Sequence, residues 1–161
     1  MKVGFIGSGK MAEAMIASLL TSNTVQAHEL FVSDNEADRR RLMKRRYGIN
    51  TYSNNRHVAG TVEVLFLSVK PQQLDAVLKE IADDITKKQL IISLAAGKKI
   101  SFIESYLSGA RVIRVMPNLP CVVAEGMSAF AAGAKATVTD RRTASKLLSC
   151  FGRVLEIPED Q

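Results

Sequence analysis

The chain of 161 residues has little of what builds several common kinds of site: two cysteines, Cys121 and Cys150, two histidines, His28 and His57, and no tryptophan. The cysteines form no C-x-x-C pair and have no histidine near them, so no metal site is expected, and two thiols do not make a disulfide framework. The histidines fall far apart in loop or helix-start positions and read as surface residues; no catalytic base is assigned. No apolar run approaches the ~20 residues of a membrane-spanning helix. The first apolar stretch is too interrupted by glycine and too poor in flanking charge for a signal peptide, so a cytoplasmic protein without membrane contact is expected.

What is present is a core. Hydrophobic residues make up 47% of the chain, which suits one globular domain over residues 1–161. The opening "KVGFIGSGKMAEAMIASLL" holds two glycines at the point where the spacing of apolar residues changes. Val3 to Ile6 is a short apolar run suited to a buried strand, and Ala12, Met15, Ile16, Leu19 and Leu20 recur on one helical face. Between them Gly7, Ser8, Gly9, Lys10, Met11 and Ala12 form a strand-to-helix turn, G-x-G-x-x-A. Gly7 permits the tight turn, Gly9 lets a pyrophosphate approach the backbone, and Ala12 lets helix and strand pack closely. The helix start offers free N–H groups to an anion. No Gly-Lys-Ser/Thr follows, which excludes a Walker loop.

A second feature agrees. The next predicted strand, Leu30 to Ser33, ends at Asp34 and Asn35, where an acidic group about 20 residues after the turn accepts a ribose 2′-OH. Together the two point to NAD-type binding.

Net charge is +6, much of it in "RRRLMKRR", Arg39 to Arg46. This run reads as a solvated helix face with Leu42 and Met43 inward, as a contact for the adenosine end of a phosphorylated dinucleotide, or as a nucleic-acid surface. The last is disfavoured, since no aromatic residues alternate with the basic ones. Charge alone does not choose between the first two.

Strand-like and helix-like periods alternate to the end. "VLFLSVKP" reads as a buried strand ending at Pro71, and Leu74, Val77, Leu78, Ile81 and Ile85 as a helix face. "QLIISLAAG" is a strand with a glycine turn, followed by a short helix from Ser101 to Leu107. "RVIRVMPNLP" is a strand followed by a proline-bounded turn, and "GMSAFAAG", a helix lined by Ala144, Leu147, Leu148 and Phe151, and a strand from Val154 to Ile157 close the pattern. This predicts an α/β fold, a doubly wound and mostly parallel Rossmann-like sheet with helices on both faces. In such a sheet the turns at Gly7 to Ala12, Ser33 to Asn35, Val69 to Pro71, Ala95 to Gly97 and Met116 to Pro120 all open onto one edge, where ligands bind.

With these residues placed, the sequence resembles the N-terminal dinucleotide-binding domain of the pyrroline-5-carboxylate reductases. The matching stretches are "VGFIGSGKMAEAM", "EVLFLSVKPQQL", "IISLAAGKKIS", "RVIRVMPNLPCVVAEGMSAFAAG" and "LLSCFGRVLEI", in family order over nearly all of the chain. The resemblance implies hydride transfer from NAD(P)H to the C=N bond of pyrroline-5-carboxylate, giving proline. It implies that Ser8, Lys10 and Met11 lie along the pyrophosphate and nicotinamide side, and that Asn55 reaches the adenosine ribose or its phosphate. Val69, Lys70 and Pro71 would cover the cofactor with Ala95, Ala96 and Gly97 beside them, and Met116, Pro117 and Asn118 would form the turn near the nicotinamide, where the substrate sits. A protonated imine is already electrophilic, so the protein mainly holds donor and acceptor together and needs no catalytic histidine.

Two departures matter. Ser33-Asp34-Asn35 stands where many members of the family carry residues suited to a 2′-phosphate; a carboxylate there favours NADH, although Arg39 or Arg40 could counter it. In the family the domain closing on "VLEI" continues into a helical domain that makes the dimer and cradles the substrate carboxylate. A homo-oligomer is expected only with that domain, and these residues alone are expected to bind cofactor with little turnover. A β-hydroxyacid dehydrogenase relative shares the opening turn but is disfavoured by "MPNLP" and the "EGM" that follows it, while a dinucleotide sensor without turnover stays open.

Overall fold

The computed structural model describes residues 1–118 and 126–160. Its strands are β1 (Val3–Ile6), β2 (Leu30–Ser33), β3 (Asn50–Tyr52), β4 (Val64–Leu67), β5 (Leu90–Ser93), β6 (Arg111–Asn118), β7 (Gly126–Ala132) and β8 (Gly152–Glu156). The helices are α1 (Lys10–Thr21), α2 (Ala37–Tyr47), α3 (Asn55–Thr61), α4 (Pro71–Ile81), α5 (Ile100–Tyr106) and α6 (Val138–Leu148). One eight-stranded sheet runs β3-β2-β1-β4-β5-β6-β7-β8, parallel throughout except for the β6–β7 pair. The doubly wound, mostly parallel sheet expected from the alternation of periods is the fold observed. Among the described residues no helix is long and apolar enough to cross a membrane.

Each of β1, β2, β4 and β5 is buried along its whole length, as apolar runs inside a sheet covered on both faces should be. One face carries α1, α2 and α6, whose Met15, Ile16, Leu19, Met43, Ala144 and Leu148 join Phe5 and Phe66 in a single cluster. Those two rings stack across β1 and β4 with centroids 4.6 Å apart. The other face carries α3, α4 and α5 through Val58, Leu74, Leu78, Ile100 and Ile103. Gly4, in the middle of β1, makes this second layer possible. A Cβ there would stand 2.7 Å from Val58 Cγ1 and 2.8 Å from Val62 Cγ1, so α3 lies against bare backbone.

The chain departs from the sequence reading in several places; Ile85, read on the helix face of Leu74 to Ile81, lies beyond the end of α4 at Ile81. The strand read from Val64 to Pro71 stops at Leu67, and Pro71 is the first residue of α4, where a missing N–H costs nothing. Met116, Pro117 and Asn118 form no turn: they continue β6 and pair with Ala129, Ser128 and Met127 of β7. The parallel partner β5 ends at the Ser93–Arg114 pair, so beyond it β6 has a neighbour on one side only and tolerates Pro117. Leu119 and Pro120, the rest of that expected turn, lie outside the described residues. Finally β3 and α3 were not expected. β3 is three half-buried residues, and α3 is seven residues started by Asn54, whose side chain accepts from the Arg56 N–H.

Candidate functional site

The sheet changes winding direction between β1 and β4. β1 leads through α1 to β2 on one face, while β3 leads through α3 to β4 on the other. The carboxyl ends of these strands open there into a cleft of about 730 Å³. Its floor is the turn after β1. Gly7 has φ +96°, and a Cβ on it would stand 2.9 Å from the Ser68 carbonyl oxygen, so only glycine fits. The Ser68 hydroxyl ties the turn to β4, lying 2.8 Å from both the Ile6 and Gly7 carbonyl oxygens. Gly9 precedes α1 with no side-chain cap, and a Cβ on it would meet nothing within 4 Å. The first helical bond of α1 is made by the Glu13 N–H to the Gly9 carbonyl at 2.9 Å, so the N–H groups of Lys10, Met11 and Ala12 have no carbonyl of their own helix to bond.

The rim beside the turn is held by charge. Ser8 is fully buried, and its N–H and hydroxyl both donate to Asp34 Oδ2, at 2.9 and 2.6 Å. Asp34 Oδ1 accepts from the Glu36 N–H at 2.9 Å. Arg39 donates from Nε to the Ser8 carbonyl at 2.9 Å and from Nη2 to Glu13 Oε1 at 2.9 Å. Arg40 donates from Nη1 to the carbonyls of Asp34 and Asn35, at 2.8 and 3.1 Å. Below them Glu13 accepts from the Tyr47 hydroxyl at 2.6 Å and from Arg46 at 2.7 Å. The Tyr47 hydrogen bond, with those of Arg39 and Arg46, outweighs burial and holds the Glu13 carboxyl below its ordinary value. The start of the basic helix is thus spent on fixing two loops, while Lys44 and Arg45 are exposed.

Of the residues singled out in the sequence, Gly7, Ser8, Gly9, Ser33, Asp34, Asn35, Asn55, Val69 and Lys70 line the cleft. Lys10 is exposed at the start of α1, Met11 is half-buried, and Ala12 is buried where α1 meets the sheet. Pro71 sits just behind Lys70. Ala95 is buried, Ala96 is exposed, and Gly97, with φ +73°, borders a separate shallow hollow beside Lys98 and Phe102. Met116 is half-buried in β6. The exposed His28 and His57 lie off the cleft. Among the described residues no group of acidic, histidine or cysteine side chains is arranged to hold a metal.

Sequence reasoning missed the wall that α4 supplies: Gln73, Ala76 and Glu80 line it together with Val77, which reads in the sequence only as a core position, at i, i+3, i+7 and i+4. That spacing was legible as a second stripe beside the core-facing Leu74, Leu78 and Ile81, but only the apolar stripe was read.

The likeness to known proteins is broad. The chain is 35% identical over 159 residues to the pyrroline-5-carboxylate reductase of Methanosarcina acetivorans, covering 98% of this chain and 59% of that protein. It is 37% identical over 161 residues to pyrroline-5-carboxylate reductase 3 of Bos taurus, covering 99% and 52%. It therefore spans a little over half the length of these curated relatives. Among solved structures, a pyrroline-5-carboxylate reductase from Coxiella burnetii superposes with a TM-score of 0.92 at 30% identity, over 97% of this chain and 58% of that one. The Plasmodium falciparum pyrroline carboxylate reductase with NADP bound gives 0.87 at 27%, over 99% and 58%. A prephenate dehydrogenase from A. aeolicus, at 13% identity and 0.84, shares the fold. Residues 2–97 match the family described as NADP oxidoreductase, coenzyme F420-dependent. The chain belongs to that family, and its likeness over nearly its whole length is to the pyrroline-5-carboxylate reductases.

Proposed function

We propose that the cleft holds a nicotinamide dinucleotide and that these residues are the cofactor domain of a pyrroline-5-carboxylate reductase. The observation that carries this is the space over Gly9: a Cβ would fill it, at the free N-terminus of a 12-residue helix beside the Asp34 carboxylate. The N–H groups of Lys10, Met11 and Ala12 face a pyrophosphate there, and the helix dipole favours its charge. Asp34 receives a ribose hydroxyl, and Val69 and Lys70 border the opposite wall. The bound nicotinamide supplies the hydride for the C=N carbon of the imine. The chain's task is to hold that donor still, on a turn whose backbone is pinned by Ser68 and Asp34 before any ligand arrives.

NADH is the favoured cofactor. A 2′-phosphate would meet the Asp34 carboxylate, and the guanidinium groups of Arg39 and Arg40 are already directed at the Ser8, Asp34 and Asn35 carbonyls. Polypeptide that the relatives carry outside the matched stretch supplies the grip on the substrate carboxylate and the contacts of a homo-oligomer, so turnover by these 161 residues alone stays low.

Fluorescence titration with NADH tests the reading, run beside steady-state oxidation with the imine. Gly9→Val, whose Cβ meets no protein atom within 4 Å, leaves the fold intact and weakens NADH at least about a hundredfold, or ~2.7 kcal/mol. Unchanged affinity in the folded variant overturns it.

A further inference from the structure

At the far end of the cleft α4 presents a stripe that the cofactor reading does not use. It is polar at its ends, Gln73 and Glu80, and small or apolar between them, at Ala76 and Val77. A flat heteroaromatic ring needs this arrangement: a smooth surface under its face and polar groups at its edges.

Glu80 is held in one orientation from behind. The buried Ser33 hydroxyl donates to Asn55 Oδ1 at 2.7 Å, and Asn55 Nδ2 donates to Glu80 Oε1 at 2.7 Å. A carboxylate accepts and does not donate, so the Asn55 amide nitrogen must face Glu80 and its oxygen must face Ser33. The second carboxylate oxygen, Oε2, has no hydrogen-bond partner among the described residues. Position follows from the same bonds. Asp34 is bonded to Ser8 of the glycine turn and directly follows Ser33, which is bonded to Asn55. A ribose at Asp34 therefore stands between the turn and the Asn55–Glu80 pair, with its base at the pair.

We infer that Glu80 reads the base of the dinucleotide. Its Oε2 accepts a hydrogen bond from the exocyclic amino group of adenine, whose ring lies over Ala76 and Val77, and Asn55 is the positioning residue that aims it. The inference rests on the cofactor reading above. It makes the site selective for a 6-aminopurine, because a 6-oxo group in the same place sets a carbonyl oxygen against a carboxylate.

The test is fluorescence titration of the 161-residue chain with NADH and with reduced nicotinamide hypoxanthine dinucleotide, in the wild type and in Glu80→Gln and Glu80→Ala. Glu80 is exposed on α4 and both replacements are good helix formers, so the variants fold. The wild type prefers the adenine dinucleotide about tenfold. Glu80→Gln, whose amide offers a donor as well as an acceptor, brings the two within about twofold, and Glu80→Ala reduces the preference by weakening the adenine form. Binding of both dinucleotides with a ratio that neither replacement moves overturns the base-reading role and leaves the cofactor reading standing. Failure of the wild type to bind either one overturns both.

Discussion

From β3 to β5 every strand pair is parallel and β1, β2, β4 and β5 are buried end to end, whereas from β6 to β8 the sheet turns antiparallel once and ends on a strand that is mostly exposed. α6 covers one face of this second part through Ala144, Leu147 and Leu148, packed with Phe130 and Phe151. On its other face Met127 and Leu155 stand 46% and 55% exposed. The cleft belongs to the first part, where short loops between parallel strands bring backbone groups to one edge. The second part carries ion pairs at its borders, Arg111–Asp140 and Arg141–Glu156, besides the packing of α6. The contrast teaches that damage in the first part should appear in binding, and damage in the second in stability.

The strongest test of that division is in the second part. Asp140 accepts from Arg111 Nε at 2.7 Å and from the Thr137 N–H at 2.9 Å, while its own N–H donates to Thr137 Oγ1 at 3.0 Å, a capping box at the start of α6. Burial pushes the Asp140 carboxyl up, and the bonds from Arg111 and Thr137 outweigh it and hold the group below its ordinary value of 3.8. A carboxyl so lowered contributes stability that is present above its unfolded value and lost as pH falls through its folded one. Asp140→Asn is expected to cost about 3 kcal/mol at neutral pH by denaturant titration, with the gap to the wild type closing below pH 3.8 and NADH affinity unchanged in the folded fraction. A loss of affinity in the folded fraction would break the division.

A smaller effect sharpens it from the other side. Asp34→Ser removes the carboxylate from the cleft rim and should raise NADPH affinity relative to NADH about tenfold, or ~1.4 kcal/mol, in a paired titration. An unmoved ratio would make Arg39 and Arg40 the selectors in spite of their bonds to the loops. The smallest effect belongs to the bare face of the second part. Leu155→Lys should shift stability by no more than about 0.5 kcal/mol and leave binding alone.

The first part was also the more legible. Val3 to Ile6 and Leu30 to Ser33 were read with the bounds they have, because a strand buried on both faces leaves an unbroken apolar run between glycine or polar stops. The turn from Gly7 to Gly9 is legible because glycine answers a backbone need at single positions, and Asp34 because an acid stands about 20 residues on, at the end of the second strand. What escaped has no such local cause. β3 is three half-buried residues with no apolar period, and α3 buries only Val58 and Ala59. The signal for α3 sits elsewhere, in Gly4 inside the apolar run of β1, which is the seat of Val58 and Val62. Met116 to Asn118 was misread because two prolines nearby imitate a turn, and only the antiparallel partner β7 shows that the ladder continues. In the sequence the α4 wall of the cleft is masked by the stronger apolar stripe of the same helix, Leu74, Val77, Leu78 and Ile81.

The Ser68 hydroxyl, which bridges the Ile6 and Gly7 carbonyls, also bears on the order in which a ribosome delivers this chain. β1 can pair with β2 once residue 33 has emerged, through Val3–Leu30 and its neighbours. Its other side stays an open apolar edge until β4 arrives and Val3 meets Val64. The clasp on the glycine turn comes one residue after that strand ends. A nascent chain shorter than this therefore carries the whole glycine motif without one of the two sets of contacts that pin its backbone. The turn gains its full set of contacts only when a strand made some sixty residues later closes on it.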